Sequence, residues 1–362
     1  MARLGVDDAP PSAFGAPLDT GDGWSRAAAQ TLDLDGAALR LAVQTAATPQ
    51  ANFHSVLIER HGKLAADFYF TGRDRPLGRW YYRRRRFDPE TLHDMRSISR
   101  SIVGLLIGIA HGQGLIRDVK TPVLEFLPEY ADRAAPEHRA ITLEHLLTMT
   151  AGLEWDEGSA AFGFANSKIR MSLAWDRYRY ILSQPVVKMP GSRFSYSGGA
   201  TALLGGVLER VSGLSVPAFA DAHLFGPLGI TEARWITDLR GKALVFSGLR
   251  MRPRDLARIG RLLLDNGRVL EREVVPAAWI AQSFAPHVAT GDGMAFGYHW
   301  WVNNGGGIRE RWTAAFGNGG QRLYMVPALD LVVVMTAGRY NQSNHGRIAH
   351  ELFRRIVAAA RA

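Results

Sequence analysis

Between His93 and Leu115 the chain passes from a polar turn carrying Ser97, Ser99 and Ser101 into an apolar run, Ile102 to Ala110, stopped by Gly112 and Gly114. Ile98, Ile102, Leu105 and Ile109 recur at helical spacing, and Val103, Leu106 and Ile107 fill the other faces. That pattern predicts a helix buried on nearly all sides, with Gly104 and Gly108 letting a neighbour approach closely. At about nine residues the run is far short of the ~20 a membrane span needs. Upstream, residues 53–70 alternate twice around His61-Gly62-Lys63, which predicts a β-hairpin, and 32–46 predict a first helix. Downstream, 121–130 read as an extended, proline-bounded piece. A short amphipathic helix follows within 141–157, with Thr142 as its cap and His145 where a capping box would place its acid. Further helices are predicted over 200–211, 254–264, 276–283 and 345–360, and three strands over 295–304, 314–327 and 329–338.

Strands at both ends and helices between them predict an α/β (α+β) protein. One antiparallel sheet is built from the N- and C-terminal strands, and a helical lobe is inserted. The expected boundaries are an extended leader over 1–30 and a single domain over 31–362. Within it, an α/β lobe takes about 31–72 and 290–362, and a helical lobe about 73–289.

The absence of cysteine excludes disulfides, thiolate nucleophiles and thiolate-bound metals. The net charge of +9 is carried by arginine, since lysine occurs only at 63, 120, 168, 188 and 242. Seven of the arginines cluster with three aromatics in Arg73–Arg86, read as a solvated loop, with an anionic surface or nucleic acid as the weakest partner class. No secretory signal pattern opens the chain, so a cytoplasmic location is expected. His345 and His350 are five apart, no carboxylate motif accompanies them, and no phosphate-cradling loop follows a strand. No metal or organic cofactor is therefore expected. His93-Asp94 reads as a turn-shaping pair, and His145 and His299 as structural histidines.

Ser97 and Arg100 share the first turn of the buried helix, where unpaired backbone N–H groups and the positive dipole end also lie. A hydroxyl there with a basic group one turn on suits nucleophilic attack, although a capping serine and a surface arginine would look the same. Tyr196-Ser197-Gly198 offers a phenol on a turn-rich loop, and Gly317-Asn318-Gly319-Gly320 a strand whose backbone can approach a ligand.

In order and spacing, these three stretches resemble the penicillin-recognising serine hydrolases: class C β-lactamases, DD-peptidases and family VIII esterases. Residues 141–155, 249–267 and 317–338 look like the branch containing 6-aminohexanoate-dimer hydrolase relatives. The resemblance implies the β-lactamase/transpeptidase-like fold. It further implies Ser97 as the nucleophile of S-x-x-K, Tyr196 as the proton-moving tyrosine of Y-x-N, and Gly317-Asn318-Gly319 at the K/H-T-G strand motif. The Ser97 and Gly320 N–H groups would hold the oxyanion, with Asn318 and Gly319 along the substrate. Trp301 and Trp312, flanking the glycine-rich strand, are candidate walls of an apolar acyl pocket.

Three positions depart from the family pattern. Gly317 replaces the basic residue that would hold a substrate carboxylate, which argues against β-lactams and D-Ala-D-Ala peptides as main substrates. Gly198 replaces the asparagine. Arg100 replaces the lysine, and a guanidinium with a pKa above ~12 cannot act as a base. Two readings follow. In one, the chain hydrolyses esters or amides of a small acyl substrate through an acyl-enzyme on Ser97, Arg100 supplying charge that favours a Tyr196 tyrosinate. In the other it is a catalytically impaired homologue that binds a ligand without turnover. The oligomeric state is not legible in the sequence.

Overall fold

A computed structural model describes residues 15–132, 134–157, 166–303 and 308–361. The chain divides into two compact units, one of Met1–Met95, Arg250–Leu264 and Gly307–Ala362, the other of Arg96–Leu249 and Asp265–Gly306. Residues 73–95 and 250–264 thus fall in the first unit, and 290–303 in the second.

In the first unit, strands Phe53–Arg60 and Lys63–Tyr69 form the predicted hairpin. His61 (φ 53°) and Gly62 (φ 74°) both adopt the left-handed conformation that a tight two-residue turn requires to match strand twist. Phe53–Arg60 also pairs antiparallel with Leu331–Ala337, placing Val56 opposite Met335 and Ile58 opposite Val333. Leu331–Ala337 pairs in turn with Gln321–Val326, and that strand with Thr313–Gly317. The sheet therefore joins the two ends of the chain, as the pattern implied. The predicted 314–327 strand is two strands, because Gly319 (φ 95°) and Gly320 (φ 105°) turn the backbone between them.

Helix Pro253–Leu264 lies on this sheet, close enough that a Cβ on Gly260 would stand 2.5 Å from Val332. Part of the expected leader is packed: Trp24 is buried with its indole N–H on the Arg254 carbonyl, and Arg254 pairs with Asp22 and Asp67. Arg83–Arg86 is a strand paired with Thr71–Asp74, not a loop, and all four arginines are exposed.

In the second unit the predicted central helix spans Ile98–Gly112. Close approach occurs at its glycines: a Cβ on Gly108 would stand 2.2 Å from the Trp279 indole, and one on Gly104 3.1 Å from the Tyr298 carbonyl. Helix Gly198–Ser212 packs beside it. Residues 121–130 form two short helical turns, Val123–Phe126 and Pro128–Tyr130, where an extended piece was expected; a proline at or before the first helical position is pre-organised for such turns. The Thr142–His145 capping box is present, with both reciprocal bonds at 3.2 Å, on a helix of only Leu143–Leu147. The expected strand over 295–304 is broken at His299 (φ 64°), giving Met294–Phe296 and Trp301–Asn303. Among the described residues no single helix is long and apolar enough to cross a membrane.

Candidate active site

Ser97 is half-buried and stands immediately before the Ile98–Gly112 helix with helical backbone angles, φ −70° and ψ −6°. Its hydroxyl makes no capping bond, which removes the simplest structural reason for a serine at this place. Arg96, just before it, holds φ 52°, a conformation unfavourable for a side chain with a Cβ. The next serines fix the turn: Ser99 Oγ donates to the Arg96 carbonyl at 2.6 Å and accepts from the Leu249 N–H at 3.1 Å. Ser101 Oγ donates to the His299 carbonyl at 2.6 Å. His299 is buried against the Arg100 and Leu146 carbonyls, and burial lowers its imidazole to about 4. It is a neutral structural group, as expected.

Arg100 turns inward and is 2% exposed. Its Nη2 donates to Glu157 Oε2 at 2.6 Å, its Nε to the Phe246 carbonyl at 3.3 Å, and its guanidinium lies 4.1 Å from the centroid of the Tyr196 ring. Nη1 is buried without a hydrogen-bond partner among the described residues. Burial works against the cation, but the Glu157 carboxylate outweighs it and holds Arg100 above its ordinary range. Burial likewise pushes the Glu157 carboxyl up, and Arg100 followed by Lys168 brings it below its usual value. Both directions describe one ionised pair.

Glu157 does more than balance charge. Its Oε1 accepts from the Trp155 indole N–H at 2.8 Å and from the Gly198 N–H. A Cβ on Gly198 would stand 2.7 Å from that oxygen and 3.3 Å from Arg100 Nη2. The glycine at 198 is therefore what leaves room for the carboxylate.

Tyr196 is half-buried on a segment clamped to Met149, whose carbonyl accepts from Ser195 N–H at 2.7 Å. Ser197 caps the following helix by accepting from Ala200 N–H at 3.3 Å. Around the Tyr196 ring stand Trp301 at 5.7 Å, Phe296 at 6.2 Å and Phe194 at 6.3 Å, centroid to centroid. Arg100, Tyr196 and Trp301, far apart in the chain, are brought together.

Two groups of the cluster went unrecognised in the sequence. Glu157 is 57 residues from Arg100, and no spacing rule connects them. Lys168 follows the cap of helix Ser167–Leu173, which is tied to the Glu157 segment: Ser167 N–H donates to the Asp156 carbonyl at 2.8 Å, and Ser167 Oγ accepts from Asp156 N–H at 3.0 Å. Burial lowers the Lys168 amine; Glu157 opposes that, and the Arg100 and Arg96 cations add to it.

The glycine-rich hairpin belongs to the first unit. Gly317 passes so close to the Met95 carbonyl that a Cβ would stand 2.5 Å from it. The Asn318 amide is engaged with Asn341, donating at 2.6 Å and accepting at 2.9 Å, and a Cβ on Gly319 would stand 2.4 Å from the Tyr340 ring. Gly320 N–H donates back to the Gly317 carbonyl at 3.3 Å, so this proposed oxyanion donor is committed to the hairpin turn. Buried Gln321, unremarked in the sequence, braces the turn by donating to the Asn318 carbonyl at 3.1 Å and the Ala337 carbonyl at 2.6 Å. Trp312 is not a pocket wall. Immediately before strand Thr313–Gly317, it is 2% exposed in the core, packed against Tyr324 and against Phe353 and His350 of the terminal helix.

The Beta-lactamase family profile matches residues 47–356. The chain is 24% identical to 6-aminohexanoate-dimer hydrolase of Paenarthrobacter ureafaciens over 321 residues, covering 83% of this chain and 76% of that one. It is 29% identical to Esterase EstB of Burkholderia gladioli over 189 residues, half of this chain and 46% of the esterase. The fold is similar to that of EstCE1, described as a hydrolase with promiscuous acyltransferase activity, with TM-score 0.73 and 18% identity over 92% of this chain and all of that one. With the profile spanning most of its length, the chain belongs to the Beta-lactamase family, with the β-lactamase/transpeptidase-like fold of mixed helix and antiparallel sheet.

Proposed function

We propose that the protein is a serine hydrolase that cleaves ester or amide bonds of a small acyl substrate through an acyl-enzyme on Ser97. The observation that carries this reading is the Ser97 turn: a half-buried serine at a helix start that does not cap, one turn from a buried cation stacked on a tyrosine. In the reaction Ser97 Oγ attacks the carbonyl, and the developing oxyanion is held by N–H groups at the helix start. The serine proton passes to Tyr196 and on to the leaving group, and water then releases the acid. Arg100, fixed as a cation by Glu157, stabilises negative charge at the Tyr196 ring and is not itself the base. Phe194, Phe296 and Trp301 beside Tyr196 suit an apolar acyl chain. Lys168, whose amine burial holds below its ordinary range, is the second candidate to receive the proton.

A second reading, a homologue that binds without turnover, draws on the same ion pair, which fills the space beside Gly198. Intact-mass labelling with a fluorophosphonate, alongside p-nitrophenyl butyrate turnover, separates the two. Labelling and turnover that Ser97→Ala abolishes are the expected result. A wild-type protein that neither labels nor turns over would replace hydrolysis by the binding reading.

A further inference from the structure

His54, Asp74 and His93 are all buried in the first unit, 0%, 5% and 2% exposed, and their candidate ligand atoms lie within 4.8 Å of one another. The two imidazoles are oriented from outside the cluster. His54 Nε2 is 3.1 Å from the Arg73 carbonyl, and His93 Nδ1 is 3.1 Å from the Asp94 carbonyl. A carbonyl can only accept, so each of these ring nitrogens carries the hydrogen, and the other nitrogen of each neutral ring presents a lone pair. Those two nitrogens, His54 Nδ1 and His93 Nε2, face each other at 2.7 Å. Two lone pairs at that distance repel unless a cation lies between them.

The geometry points to a divalent transition-metal site of the zinc class, with His54 Nδ1, His93 Nε2 and one carboxylate oxygen of Asp74 as ligands. Two imidazoles and a carboxylate, with a fourth position left for water, suit zinc. The outer groups fit as well. Backbone carbonyls fix the tautomer of both histidines, and the Tyr340 hydroxyl orients the Asp74 carboxylate by donating to Oδ1 at 2.8 Å. The His54 ring is held in a slot: it stacks on Phe87 at 3.9 Å and 12°, and a Cβ on Gly72 or Gly338 would come within 2.6 or 2.7 Å of it. At metal–nitrogen distances of about 2.0–2.1 Å, tetrahedral ligands stand about 3.3–3.4 Å apart, so the rings must part by roughly 0.6 Å. His54 is pinned, so the shift falls on His93, in a two-residue strand that leads within four residues to Ser97.

The test uses the full chain stripped with dipicolinate. Zinc is titrated by calorimetry, Co²⁺ by visible absorption, and thermal unfolding is followed with and without free zinc. The wild type should bind one equivalent, show the intense d–d bands of tetrahedral Co²⁺, and unfold at a temperature that rises with free zinc. Asp74→Asn and His93→Gln should each weaken binding at least tenfold, with circular dichroism confirming that the metal-free fold persists. If His93→Gln does not fold, Asp74→Asn decides. A wild type that gives no heat and no thermal shift with 100 μM zinc overturns the site. So does binding that survives Asp74→Asn and His93→Gln unchanged.

Discussion

Replacing Glu157 by Gln keeps a side chain of the same shape but removes the charge that faces Arg100. The guanidinium would then be left 2% exposed, with the Phe246 carbonyl, the Tyr196 ring and at most a neutral amide oxygen as its partners. Breaking a buried pair by removing one member typically costs about 3–5 kcal/mol, because the surviving charge keeps its desolvation penalty. Glu157→Gln should therefore lower the free energy of unfolding at pH 7 by about that much. Arg100→Met should do the same, by stranding the carboxylate. The double variant should cost at least about 2 kcal/mol less than the sum of the two. The pH dependence has a defined sign. Glu157 is held below 4.5 in the folded chain, so its contribution is fully present above the unfolded value and is lost as pH falls through the folded one. The gap between wild type and Glu157→Gln should thus narrow on acidification below about pH 4.5. Urea denaturation of the four proteins across pH 3 to 8 measures both effects. Additive single costs, or a Glu157→Gln variant within about 1 kcal/mol of wild type at pH 7, would refute the coupling.

Tyr196→Phe should slow acylation by roughly 10²–10⁴-fold with the fold intact, whereas Lys168→Met should do so only if the amine is the acceptor; stopped-flow release of p-nitrophenol reads which. Glu59 is fully buried and its carboxyl is pushed up to about 7 by burial, so the folded chain binds a proton that the unfolded chain releases above 4.5. Wild type therefore loses stability as pH rises through that window, and Glu59→Gln should gain on it by up to about 3 kcal/mol between pH 4.5 and 8; parallel stability curves would dismiss the effect. Gly108→Ala drives a methyl into the Trp279 ring at 2.2 Å and should cost about 1–3 kcal/mol, with Trp279→Leu recovering part of it in thermal unfolding.

What the sequence made legible follows from which features are local. The Ile98–Gly112 helix, the His61-Gly62 hairpin and the Thr142–His145 cap rest on periodicity and turn chemistry within a few residues, and each is where the pattern put it. The joining of Phe53–Arg60 to Leu331–Ala337 was accessible because strands occurred at both ends and had no partners elsewhere. Glu157 is the opposite case. A buried arginine demands a carboxylate, but nothing in the spacing says which of many acids supplies it. Trp312 shows a different limit, because its place beside the glycine-rich strand does not tell which neighbours it packs on. His54 and His93 were separated by 39 residues and by the arginine-rich strand, so no metal spacing could reveal that they touch.

Arg100, Glu157 and Gly198 are best understood as a single arrangement. The carboxylate fixes the guanidinium as a cation, and the missing Cβ at 198 makes the carboxylate's position possible. Changing Arg100 to Lys alone would not create a base at that position. The new ammonium would find the same buried carboxylate, which favours its charged form and keeps its lone pair from the serine. A neutral amine there requires Glu157 to go as well, and its removal also vacates the space in which a side chain at 198 could stand. Arg100→Lys should therefore acylate no faster than wild type. Arg100→Lys with Glu157→Ala and Gly198→Asn should acylate faster than either, with an acceleration that grows as pH rises and the lysine loses its proton. Equal activation by Arg100→Lys alone would mean that Glu157 does not govern the charge at this position, and that the three residues are independent.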